Sequence, residues 1–160
     1  MRAAARTAAL AAFALLAAAG VCHAEEVTRE SYREAVEPIC KVNTEANERI
    51  LAGARAEVRS DKLAPAAIKF KRAARALHKT LGELKAVPRP SADEARLGRW
   101  FGLIEAEERA LGKTGAFLAA GRKGSALGMV VRLEGTAARA NNAVFAFEFR
   151  YCHFEPSRFT

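Results

Sequence analysis

Apolar residues recur along this chain at alternating spacings of three and four, the repeat of one helix face. Four stretches carry the pattern. In the first, Tyr32, Val36, Ile39, Asn43, Ala46 and Ile50 form one stripe, and a helix is expected over about 29–59. Thr28 is its N-cap, and Glu30 sits where a negative charge suits the helix dipole. Pro38 falls inside the pattern, so a kink, or a split near Val36, is expected there. In the second stretch Leu63, Ala67, Phe70, Ala74, Leu77, Leu81 and Leu84 keep the spacing. This predicts a helix over about 64–86, with Asp61 as a cap and Pro65 in the first turn. Val87-Pro88-Arg89-Pro90 follows as a short rigid linker.

The third helix is expected over about 92–120, opened by the capping-box pattern of Ser91 and Glu94. Its face reads Leu97, Phe101, Ile104, Leu111 and Leu118 with Trp100 beside it, and Glu107 or Glu108 falls where the next core residue belongs. It ends near Gly121. The fourth is expected over about 125–150, capped by Ser125, with Ala126, Val130, Leu133, Ala137, Ala140, Val144, Phe147 and Tyr151 on its stripe. A second apolar flank, Leu127, Val131, Ala138, Phe145 and Phe149, predicts contact with more than one neighbour. The alternating aromatics from Phe145 to Phe154 also suit a strand, but no other stretch offers that strand a partner. Four amphipathic helices with short connections predict an all-α, up-down-up-down antiparallel four-helix bundle.

The first 24 residues stand apart from this pattern. Arg2 and Arg6 precede an apolar run of 14 residues, Ala8 to Val21, and Cys22-His23-Ala24 is followed by Glu25-Glu26. That is the layout of a signal peptide, and the run is shorter than the ~20 residues of a spanning helix. Cleavage after Ala24 is expected. The competing outcome is lipidation at Cys22, for which Val21 is a poor preceding residue. Residues 25–160 then form one domain, secreted or extracytoplasmic.

Export changes the reading of the cysteines. With Cys22 set aside, Cys40 and Cys152 remain, an even number in an oxidising compartment. An antiparallel bundle brings the first helix and the end of the fourth together, so a structural disulfide between Cys40 and Cys152 is expected. Redox pairs, by contrast, are close in sequence, and these two are 112 positions apart.

Charge adds one asymmetry. The net charge is +8, and residues 61–90 carry eight basic residues against two acidic ones. Lys71, Arg75 and Lys79, flanked by Arg72 and His78, make a basic stripe on the second helix. It suits an anionic component of the cell envelope, or is simply a solvated face. No aromatic is interleaved with it, which argues against nucleic acid. The polar residues near the core stripes, Asn43, Asn47, Glu108 (or Glu107) and Asn141, mark either a small-ligand pocket or a register-setting hydrogen-bond layer.

Catalytic apparatus is not visible. Only His78 and His153 lie beyond residue 24. There is no Glu-x-x-His pair for a bundle metal site, no C-x-x-C-H for haem, no nucleophile elbow and no phosphate-binding glycine loop. No cofactor, metal or catalytic residue is therefore expected. The leading expectation is an exported, non-enzymatic bundle acting by interaction at the cell envelope, with an anionic component or another protein as partner. A small-ligand binder is the alternative.

Ile39-Cys40, Asn43, Asn47, Ala140-Asn141 and Tyr151-Cys152, with the export signal and the alanine-rich bundle, carry a resemblance. The chain resembles small exported helical proteins of high-GC Gram-positive bacteria with no assigned function. The resemblance implies a helical fold and an extracytoplasmic compartment, and no activity.

Overall fold

The computed structural model describes residues 26–156; the signal-peptide stretch and Cys22 lie outside them. The chain is an all-α four-helix bundle closed by one disulfide, Cys40–Cys152. The elements are α1 (Arg29–Leu51), a short α2 (Ala54–Arg59), α3 (Leu63–Ala86), α4 (Glu94–Ala119) and α5 (Lys123–Ala143), with 3-10 turns at Ser91–Asp93 and Phe145–Phe147. The helices α3 and α4 pack most closely, with α1 against α3 and α5 against α4. In contrast, α1 and α5 scarcely approach each other.

Helix α1 starts as expected. The Thr28 side chain accepts from the Ser31 backbone N–H, and the Ser31 hydroxyl accepts in return from the Thr28 backbone. It runs unbroken through Pro38, so no split occurs there. The break comes instead at Ala52-Gly53, where Gly53 takes φ +74°, a conformation that only glycine adopts without steric cost. Lys69 of α3 stabilises the break: its Nζ donates to the Ala52 carbonyl (2.7 Å) and pairs with Glu57 of α2 (2.5 Å). The expected helix 29–59 is thus two helices.

Three expected caps do not form. Ser91 lies in a 3-10 turn, and α4 begins at Glu94 without a side-chain cap. Asp93, buried in that turn, takes a bidentate pair with Arg29 of α1 (2.5 and 2.9 Å), and this partner holds its carboxyl below the usual carboxylate range. Asp61 pairs with Lys123 (2.6 Å) rather than capping α3. Ser125 falls inside the first turn of α5, which opens at Lys123.

The largest departure is at the C-terminal side. Helix α5 ends at Ala143, not near Arg150. A continued helix would keep Phe145, Phe147 and Phe149 spread around its circumference. Instead, the turn at Phe145–Phe147 and the left-handed Glu148 (φ +53°) send the chain back alongside α1. Phe147 meets Tyr32 edge-on (5.8 Å between ring centroids), stacks on Phe149 (5.2 Å), and Phe149 tilts on Trp100 of α4 (5.5 Å). Phe145 is left 78% exposed.

The returning segment fills the seam that α1 and α5 leave. Glu37 accepts from the backbone N–H groups of Arg150 and Tyr151. Thr44 donates to the Tyr151 carbonyl (3.3 Å). Cys152 joins Cys40 with both side chains buried. Asn141 then pairs with both backbone groups of Phe154, at 2.9 Å each. Among the described residues no helix is long and apolar enough to cross a membrane.

Candidate functional site

Three places gather chemistry. The first is a polar layer inside the bundle. Asn43 is buried, and its Oδ1 accepts from Asn47 Nδ2 (3.1 Å) and from Thr80 Oγ1 of α3 (3.2 Å). Across from it, on α4, Glu107 is only 2% exposed. Glu107 Oε1 and Asn47 Oδ1 have no hydrogen-bond partner among the described residues. Both line a cavity of about 50 Å³ walled by Leu51, Leu77, Leu111, Leu133 and Phe154. Burial without a counter-charge pushes the Glu107 carboxyl up to about 8, so it is protonated at neutral pH.

Of the residues expected in this layer, Asn43 and Asn47 belong to it and two others do not. Glu108 sits on the flank of α4 beside the exposed His78 (3.1 Å), outside the core. The buried carboxylate is Glu107, which continues the series Trp100, Ile104, Leu111, Thr114 and Leu118, all buried. Taking the fully buried Trp100 as part of the stripe, rather than beside it, would have selected Glu107. Asn141 is occupied with Phe154 and anchors the returning segment. The cavity volume matches a few water molecules, each needing roughly 10–15 Å³. It is far below the ~300–1,000 Å³ of metabolite pockets.

The second place is the outward face of α3. Lys71, Arg72, Arg75 and Lys79 are all exposed. Lys79 pairs loosely with Glu83 (3.5 Å). The other three form no ion pair among the described residues, whereas Lys69 and Lys85, which face neighbouring helices, are matched by Glu57 and Glu105 at 2.5 Å. The Lys71 stem also crosses α4 at Gly115: a Cβ there would lie 2.8 Å from Lys71 Cγ and 3.0 Å from the Ala67 carbonyl.

No family model, curated protein or solved structure matches this chain.

The third place is a groove between α2 and α5, about 330 Å³ in volume. It was not expected, because the first helix reads as continuing through Gly53 and α5 as covered on two flanks. Leu127 and Val131 on α5 are instead 50% and 66% exposed. The signal for the break was Gly53, whose place after an apolar stripe suits a helix C-terminus. Among the described residues no three His, Cys, Asp or Glu side chains group as a metal site.

Proposed function

We propose that the protein is an extracytoplasmic, non-enzymatic bundle that associates with an anionic surface of the cell envelope through the outward face of α3. The observation that carries this reading is that Lys71, Arg72 and Arg75 stand exposed on one helix with no carboxylate partner among the described residues. Charges left uncompensated on one face keep their field available to a polyanion, and each Lys or Arg held near an anionic surface contributes about 1 kcal/mol. The buried disulfide suits an oxidising compartment.

Cosedimentation with phosphatidylglycerol vesicles, compared with phosphatidylcholine vesicles, tests the proposal. Retention on the anionic vesicles is expected at low salt, with release as salt screens the contact. Replacing Lys71, Arg75 and Lys79 together with Gln is expected to abolish it. Retention unchanged by those substitutions would sink the reading.

A further inference from the structure

We propose that the groove between α2 and α5 binds the monoanion of a medium-chain fatty acid, with Arg55 and Arg59 taking the carboxylate and the apolar walls taking the tail. This goes beyond the α3 surface and uses none of its residues.

The groove follows from local structure. The turn at Gly53 detaches α2 from α1 and lays it over the start of α3, and Lys69 fixes that placement. Helix α5 packs on α4 and does not close against α2. Small residues, Ala54 and Ala126, stand on the two facing sides, so the gap stays open down to Phe70 and Leu118. At about 330 Å³ it is several times larger than the inner cavity. It also reaches the lower end of the ligand-pocket range of ~300–1,000 Å³.

The lining is apolar within and cationic outside. Val58, Leu127 and Val130 form the walls. Deep in the groove, the one hydroxyl, Thr114, is already donated to the Ala110 carbonyl (2.9 Å). The interior therefore presents no polar group seeking a partner, which disfavours a sugar or a nucleotide and suits an alkyl chain.

The arginines are spaced i and i+4, so both stand on one side of α2, and both are exposed. The two acidic groups closest in sequence are already taken. Glu57 is held by Lys69 (2.5 Å) and Asp61 by Lys123 (2.6 Å). Arg55 and Arg59 form no ion pair among the described residues and remain as uncompensated charge beside the groove. A guanidinium pair matches a carboxylate through parallel N–H donors, and arginine sheds hydration more readily than lysine. An apolar slot with that charge at its edge is complementary to an aliphatic chain ending in one anion.

Isothermal titration with sodium decanoate, kept below its micelle concentration, provides the test. One saturable site is expected. Decanol, of equal chain length and no charge, is expected to bind at least tenfold more weakly. The double variant Arg55→Gln/Arg59→Gln is expected to lose at least tenfold in affinity for decanoate. Leu127→Trp, which narrows the slot from a half-exposed position, is expected to reduce binding as well. Far-UV circular dichroism of each variant checks that the fold is kept. The Lys71, Arg75 and Lys79 substitutions are expected to leave decanoate affinity unchanged, which separates this site from the α3 surface. No saturable binding, equal affinity in the double variant, equal affinity for decanol, or a preference for decyl phosphate over decanoate would each overturn the assignment.

Discussion

Replacing Glu107 by glutamine removes a titrating group from the middle of the bundle while keeping its shape. In the unfolded chain this carboxyl titrates near 4.5; in the folded chain burial raises that to about 8. Below pH 4.5 both states hold the proton and the group has no effect on stability. As pH rises, the unfolded chain ionises first and the folded chain does not, so folding is penalised by about 1.36 kcal/mol for each pH unit. The penalty reaches about 3 kcal/mol at pH 7 and levels off near 5 kcal/mol above pH 8. These are ceilings, because water entering the cavity beside Glu107 relieves part of the charge burial. The sign follows from the raised folded value: stability is fully present at low pH and is lost as pH climbs toward 8. Glutamine cannot ionise, so Glu107→Gln is expected to be more stable than wild type by under 1 kcal/mol at pH 5, about 3 at pH 7 and up to about 5 at pH 9. Urea unfolding at the three pH values measures this, read from the fluorescence of Trp100, the only tryptophan and fully buried. Taking the difference between variant and wild type cancels every other titrating group. A difference that stays constant from pH 5 to pH 9 would refute the reasoning, and so would a glutamine variant less stable than wild type at pH 9.

Four further outcomes are expected. Replacing both Cys40 and Cys152 with Ser opens a loop of sequence separation 112, and chain entropy sets the loss at up to about 4.7 kcal/mol; reductant should lower the melting temperature of wild type and leave the variant unmoved. Gly115→Ala drives a methyl against the backbone of Ala67 and Lys71, at 3.0 and 3.1 Å, and should cost about 1–3 kcal/mol by denaturant unfolding. Gly112→Ala, whose nearest neighbour is Ala74 Cβ at 3.9 Å, should be neutral or gain up to about 1 kcal/mol from helix propensity. Asn141→Ala removes both hydrogen bonds to Phe154 and should cost about 1–3 kcal/mol, with hydrogen exchange at the Phe154 amide faster than in wild type while the α3 amides stay protected.

The helical stripes were legible because their periodicity is carried by large residues. Leu77, Leu81 and Leu84 on α3, and Leu97, Ile104 and Leu118 on α4, are all buried as the spacing predicts. The disulfide was legible for a different reason: topology brought two distant cysteines to one region, and no local signal was needed. The pattern misled where one residue type serves two purposes. Val144, Phe147 and Tyr151 continue the spacing of α5, yet Phe147 is buried from the 3-10 turn and Phe149 from the irregular segment after it, where aromatic burial and the Glu37 and Asn141 hydrogen bonds outweigh further helix. Gly53 carried a signal that the surrounding alanines masked. The α2–α5 groove could not be read in advance, because it exists only through the relative placement of two helices that do not pack closely on each other.

That placement has one origin. In a bundle whose fourth helix packs fully against the first, the α1–α5 seam is closed by side chains along its length. Here α5 stops at Ala143 and the seam is closed by residues 144–156, held at separate points: Phe147 on Tyr32, Glu37 on Arg150 and Tyr151, the disulfide, and Asn141 on Phe154. An irregular segment satisfies its backbone through side chains, which explains why Glu37 and Asn141 are spent on main-chain groups rather than on ligands. It also frees α5 from packing on α1. With α5 leaning on α4 alone, its outer flank at Leu127 and Val131 stays bare and the slot toward α2 stays open. The same device that seals one side of the bundle therefore leaves the other side with a groove of about 330 Å³. Arg55 and Arg59 stand beside that groove, at the place where burying an uncovered apolar surface and neutralising unpaired charge would be met by a single amphipathic anion.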